Sequence, residues 1–300
     1  MNQMNPFLII DGSALPQDPS SLLSSEFRGK LAGPENAPNL FAEFCVLDMM
    51  SAIAAARPEP YYIERLILKG GHAVRSYVPL TAHRFSYDLD FNVDRDSGYK
   101  LRGVKDIRTD LNNLAIRRRS AVRADVARDL GIFYWIEMNY RDTIRNTYGV
   151  TIPEVPKIEI CKSCRTFLPT VRSRIPTMFD LNLIGLTLPE MKQLDLDELL
   201  ANKLYVIGID ARQRRHFDIF DSYRIYSNNR TTIHWPRVRS AFGCYLRKIS
   251  AKEFVRRATE LIHKTEENVN TASRIESATF ETFAFKAAAE EVVGIYSKLI

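Results

Sequence analysis

The pattern of apolar and polar positions changes most sharply between Leu66 and Val93. Leu66-Ile67-Leu68 is an apolar run that ends at Lys69-Gly70-Gly71, and from Asp88 the chain alternates as D-L-D-F-N-V. A period of two is that of a β-strand, with Asp88 and Asp90 on one face and Leu89 and Phe91 on the other. Arg65 to Lys69 reads as a short buried strand, and Gly71 to Tyr77 as the start of a helix that Pro79 ends. Upstream, Asn39 to Ala56 carries Leu, Met, Phe and Ala at helical spacing and stops before Pro58, which predicts a helix packed on the sheet. Residues 1–36 hold Pro16, Pro19 and serines at 20, 21, 24 and 25, the composition of a loose arm with at most one short helical turn.

Downstream, Lys105 to Leu130 lacks both proline and glycine and is predicted as one long helix stopped by Gly131. Ile132 to Asn139 and Thr143 to Val150 read as two strands joined near Arg141-Asp142, and Lys157-Ile158-Glu159-Ile160 as another. Beyond about residue 190 the pattern is helical almost throughout. Asp195 or Asp197 can cap a helix that runs to Ile209, and further helices are expected at about 213–226, 236–249, 251–264 and 277–299. The fold class is therefore α/β: a small mixed sheet in residues 37–190, followed by a helical C-terminal domain in 191–300.

Composition narrows the class. A chain of 300 residues with 45% apolar and 26% charged positions is an ordinary globular protein. No apolar run is read as a bilayer span, and Met1 to Ile10 lacks the basic region of a secretory signal, so the expected location is the cytoplasm. Four cysteines are too sparse for a disulfide framework. Cys161 and Cys164 have the spacing of a zinc or redox pair, but a second pair is missing, and they read as two ordinary cysteines. The net charge of +6 suits a polyanionic partner. Arginines crowd at 117–119 and 212–215; Arg117, Arg118, Arg119 and Arg123 on the predicted helix read equally as a surface tracking RNA phosphates and as a solvated face.

Two carboxylates side by side on a strand repel, and a cation is their natural neutraliser. Oxygen donors suit magnesium, which also binds substrate phosphates. The glycine pair lets a backbone turn approach a phosphate closely. Lys69-Gly70-Gly71-His72-Ala73-Val74-Arg75, followed by Arg84-Phe85-Ser86-Tyr87-Asp88-Leu89-Asp90-Phe91, resembles the AbiEii/AbiGii toxin family of nucleotidyltransferases, within the DNA polymerase β-like superfamily. That family writes K-G-G-T-A-L-R and R-F-S-x-D-L-D-F; His72 stands here where threonine is usual. A second stretch, Glu198 to Lys203 and then Arg214 to Phe220, resembles the family's E-x-x-A-x-K-L and R-D-x-x-D patterns. Glu198, Ala201, Lys203 and Asp218 match, and Arg215 replaces the first aspartate.

The resemblance implies a metal-dependent nucleotidyltransferase, the toxin of a type IV toxin–antitoxin or abortive-infection pair. It implies two Mg2+ ions held by Asp88, Asp90 and a third carboxylate on a neighbouring strand. Glu159 is the candidate for that third position, with a strand acid paired to Lys157 or Arg165 as the alternative. Gly70, Gly71, Ser86 and Lys203 would bind the nucleoside triphosphate, and Asp218 would hold Lys203. The helical domain would complete the active-site cleft. The expected partners are the triphosphate, an RNA acceptor such as a tRNA 3′ end, and a cognate antitoxin protein, with no membrane. Two competing readings are a nucleotidyltransferase acting on a small molecule of the antibiotic type and a non-catalytic RNA- or partner-binding module.

Overall fold

The computed structural model of the chain describes residues 9–10, 13–14, 16, 18–56, 61–98, 100–184, 187–209, 215–247, 249–266, 279 and 283–300. These fall into two compact units. One comprises 1–72, 85–165 and 172–193, and the other 73–84, 166–171 and 194–300.

The first unit is built on a mixed sheet. Its strands are β3 (Leu66–Lys69), β4 (Asp88–Val93), β5 (Ala124–Asp129), β6 (Phe133–Met138), β7 (Lys157–Cys161), β8 (Val171–Arg174) and β9 (Glu190–Gln193), in the order β5-β6-β7-β4-β3-β9-β8. A separate two-stranded ribbon, β1 (Ile9–Ile10) and β2 (Ser13–Ala14), precedes them. β4 runs antiparallel to β3 and parallel to β7, and β6 is antiparallel to both β7 and β5. β6 and the first four residues of β4 and β7 alternate between half-buried and buried positions, so Leu89, Phe91, Ile136, Ile158 and Ile160 enter the core and the residues between them line the other face, which is itself buried farther along at Asn92 and Cys161.

The supposed N-terminal arm contains α1 (Ser25–Leu31), with Leu22, Leu23, Phe27 and Leu31 buried. Helix α2 (Ala37–Ala55) packs against β4, against α3 (Tyr61–Arg65), which leads into β3, and against α5 (Val104–Arg117). Every residue from Leu40 to Ser51 is buried, as expected of a helix that is apolar on all sides. By length and composition the segment Pro34–Ala55 could also cross a bilayer, which the sequence reading did not anticipate; 72% of its apolar window is buried inside the fold. Asp48, on this helix, accepts a hydrogen bond from the Tyr140 hydroxyl at 2.6 Å.

Several sequence expectations change. The helix predicted over 105–130 ends at Arg117. Arg119 takes a left-handed φ of 54°, Asn112 Oδ1 accepts the Ala124 N–H at 2.8 Å, and Ala124–Asp129 then pairs with β6 through a turn at Gly131 (φ 78°). Strand pairing outweighs the absence of local breakers. Arg117, Arg118, Arg119 and Arg123 therefore do not share one helix face, and the Arg123 guanidinium donates to the carbonyls of Ser120 and Val122. Arg117 and Arg119 are exposed.

Residues 140–148 form a helix, α6 (Tyr140–Tyr148), instead of a strand. Tyr140 and Ile144 are buried one turn apart, and Gly149 closes the helix at φ 71°. Cys161 and Cys164 form a disulfide across a Cα separation of 5.5 Å, where the sequence reading had two ordinary cysteines.

The second unit is helical: α7 (Leu196–Ile209), α8 (His216–Asn228), α9 (Trp235–Leu246), α10 (Ala251–Glu266) and α11 (Phe285–Tyr296). Asp195 caps α7, its carboxylate accepting the Glu198 N–H at 2.8 Å. α7 packs against α8, α9 and α10. The expected starts of α8 at about 213 and of the last helix at about 277 lie outside the described residues, as do Arg212 and Arg214 of the arginine cluster.

Candidate active site

The sheet register places the predicted ligands. Asp90 is opposite Glu159 and Asp88 opposite Lys157 on the parallel pair β4–β7, so all four share one face. Lys69 is opposite Asp90 on β3, and Trp135 opposite Glu159 on β6.

Lys157, which the sequence offers as an alternative partner for Glu159, pairs with Asp88. Its ammonium lies 2.7 Å from Asp88 Oδ2 and 4.4 Å from the centre of the Trp135 ring. The signal was present: Lys157 stands two residues before Glu159 and therefore on the same face. The other Asp88 oxygen, Oδ1, is buried without a hydrogen-bond partner. Burial, then the neighbouring Asp90 charge, push the Asp88 carboxyl up to about 7 against the pull of Lys157.

Gly70 joins β3 to the short helix α4 (Gly70–Val74) with φ 70°. A Cβ at Gly70 would lie 2.2 Å from Asp90 Oδ2, so only glycine lets the turn come this close to the carboxylate. His72 and Ser86 are buried.

This donor set fits a divalent cation: two hard carboxylates on one strand face, one of them with an orphaned buried oxygen and an ammonium already opposite its other oxygen. Among the described residues, no three His, Cys, Asp or Glu side chains converge into a ready metal cluster. Glu159 shares the face of Asp88 and Asp90 without closing such a triad.

In the helical unit, Lys203 and Asp218 meet at 2.9 Å, and Lys203 also lies 2.7 Å from Asp221. Asp221 is fully buried and takes a bidentate hydrogen bond from Arg84, with Nε at 3.1 Å and Nη2 at 3.0 Å. Although burial raises its pKa, Arg84 and Lys203 hold Asp221 well below the ordinary carboxylate range. The Arg84 guanidinium covers the Phe217 ring at 4.4 Å. Burial lowers the Lys203 pKa, but Asp218 and Asp221 outweigh it and leave a firmly charged ammonium. Asp221 was missed in the sequence although it lies one turn beyond Asp218 on α8. Glu198 serves the fold: its carboxylate accepts the N–H groups of Phe167 and Leu168 and the Tyr245 hydroxyl, at 2.7–3.0 Å.

His83 Nδ1 lies in hydrogen-bond contact with the Arg84 carbonyl at 2.8 Å, and burial, then Arg75, lower the His83 pKa to about 3. Below the unfolded value of about 6.5, the unfolded chain binds a proton that the folded chain refuses, so stability falls with pH down to about 3. His83→Gln is expected to flatten the loss of unfolding free energy between about pH 6 and pH 4 by up to about 1.4 kcal/mol per pH unit. Urea unfolding across that window checks it; identical pH slopes for both proteins would contradict it.

The family described as the nucleotidyl transferase AbiEii toxin of type IV toxin–antitoxin systems matches residues 52–291. Among solved structures, MenT4, a nucleotidyltransferase toxin from Mycobacterium tuberculosis, is similar at 18% identity and a TM-score of 0.59, over 91% of this chain and 87% of that one. No curated protein sequence matches.

Proposed function

Since the chain belongs to the AbiEii family of nucleotidyltransferase toxins of type IV toxin–antitoxin systems, we propose that it transfers a nucleotide from a nucleoside triphosphate to an RNA 3′ end, such as that of a tRNA, and that a cognate antitoxin restrains it in the cytoplasm. The observation that carries this reading is the half-buried face of β4 and β7, where Asp88, Asp90 and Glu159 stand together beside the Gly70 turn. Residues 37–190 carry these ligands in this reading.

Asp88 and Asp90 would hold Mg2+, with Glu159 assisting at a second ion. Bound there, the metal would stabilise charge on the attacking and leaving oxygens of an in-line displacement. The acceptor hydroxyl oxygen forms a bond to the α-phosphorus as the bond to the bridging oxygen breaks, and pyrophosphate leaves. Glu159 or Asp90 accepts the hydroxyl proton. Gly70 and Gly71 bring backbone close to the phosphates, Ser86 adds a hydroxyl, and Lys203 adds a positive charge held in place by Asp218 and Asp221. The Lys157 ammonium neutralises Asp88 in the metal-free protein.

Calorimetric titration with each nucleoside triphosphate tests the donor half of this reading. Binding is expected only when magnesium is present. Equal affinity with and without the metal would count against it.

A further inference from the structure

The metal-bearing face continues beyond Glu159 into an aromatic strip. One row runs straight across five strands in register: Lys69 on β3, Asp90 on β4, Glu159 on β7, Trp135 on β6 and Arg128 on β5. Neighbouring positions in such a row stand about 4.8 Å apart. Trp135 is thus one strand from Glu159 and two from Asp90. Phe133 lies two residues from Trp135 on the same face, about 6.8 Å along the strand.

Each ring has a lysine over it, Lys157 at 4.4 Å from the Trp135 centroid and Lys69 at 5.9 Å from that of Phe133. The indole is fixed in orientation, since Trp135 Nε1 donates to Glu137 Oε1 at 2.6 Å. Both rings are half-buried, on a face that closes into the core at Asn92 and Cys161 beyond Phe133, and Arg128, at the edge strand, is exposed.

Two half-buried aromatics at alternate positions on one face of a strand, with cations beside them, suit unstacked bases and the phosphates that join them. We propose that Trp135 and Phe133 form a stacking platform for the last bases of a single-stranded RNA acceptor, with Arg128 on its backbone. The inference rests on the nucleotidyl-transfer reading above and specifies where the acceptor lies. A terminal base on Trp135 puts the sugar hydroxyl it carries toward Glu159, because base and hydroxyl of one nucleotide are separated by a distance of the same order as one strand spacing. The donor triphosphate is left to the Gly70 side of the row. Trp135 acts here as a positioning residue.

The chain has two tryptophans, so in a Trp235→Phe background the emission reports on Trp135 alone. The full-length protein is titrated in calcium, in place of magnesium, with a short single-stranded oligoribonucleotide bearing a free 3′ hydroxyl, and separately with each nucleoside triphosphate. The oligoribonucleotide is expected to quench the emission saturably and the triphosphates to leave it unchanged. By anisotropy of a labelled oligoribonucleotide, Trp135→Ala is expected to weaken binding roughly tenfold. Trp135→Leu, which keeps bulk without a ring, should match it, and Trp135→Phe should recover most of the loss. Urea midpoints of all three check that they fold.

Absence of quenching by the oligoribonucleotide, quenching by a triphosphate alone, or an affinity for Trp135→Leu equal to that of the parent would each overturn the platform. If the oligoribonucleotide binds as expected but no nucleotide is ever transferred to it, the platform stands and the nucleotidyl-transfer reading fails.

Discussion

Replacing Asp88 with Asn is expected to lower nucleotidyl transfer by at least about a thousandfold, the effect of several kcal/mol of lost transition-state stabilisation, while the chain stays folded. Asn has the shape of Asp and so leaves no cavity on this half-buried face of β4, and it preserves an oxygen for Lys157, which lies 2.7 Å from the carboxylate. The variant also relieves the repulsion with Asp90 and removes a carboxyl that burial pushes up to about 7. A group raised in this way costs folded-state stability as pH rises from its unfolded value of 3.8 toward 7. In the metal-free protein at neutral pH, the melting temperature of Asp88→Asn should therefore equal or exceed that of the parent. Growth arrest on expression should be lost with the variant. A folded Asp88→Asn protein with near-normal transfer would remove Asp88 from the metal site.

The second large effect concerns stability. Asp221→Ala is expected to lower the unfolding free energy by about 3–5 kcal/mol, because it removes the fully buried carboxylate that Arg84 and Lys203 share. Arg84 loses both of its hydrogen bonds to Asp221, and Lys203 keeps only Asp218 of its two acidic partners. Asp218 is half-buried, and Asp218→Ala should cost less. Denaturant unfolding of the two variants decides the order; a milder loss for Asp221→Ala than for Asp218→Ala would show that Asp218, not Asp221, anchors the network.

Much of the carboxylate face was legible in the sequence, because period two in D-L-D-F and K-I-E-I assigns faces without reference to the rest of the chain. Register was not legible. That Glu159 stands opposite Asp90, and that Lys157 engages Asp88, depends on β4 and β7 being parallel neighbours. The misread stretches share a cause. Residues 124–129 have no breaker of their own and become a strand because Phe133–Met138 is there to pair with them. Residues 140–148 are rich in residues that suit a strand, yet the burial of Tyr140 and Ile144 one turn apart, with Gly149 as the stop, makes a helix. Both outcomes are set by tertiary contacts that local preference does not contain. The same holds for Asp221. Its spacing from Asp218 shows that it shares a helix face, but nothing in the sequence brings Arg84, more than a hundred residues earlier, onto its carboxylate. β8 and β9 are four residues each, too short to stand out by periodicity.

Nucleotidyl transfer to RNA is tested most directly by incubating the protein with total cellular RNA, magnesium and each of the four α-labelled nucleoside triphosphates in turn. Label from at least one triphosphate is expected on a small RNA, at its 3′ end, absent with Asp88→Asn and absent without the metal. A folded wild-type protein that labels no RNA with any of the four, or that places the label on a small molecule or on protein instead, would contradict it.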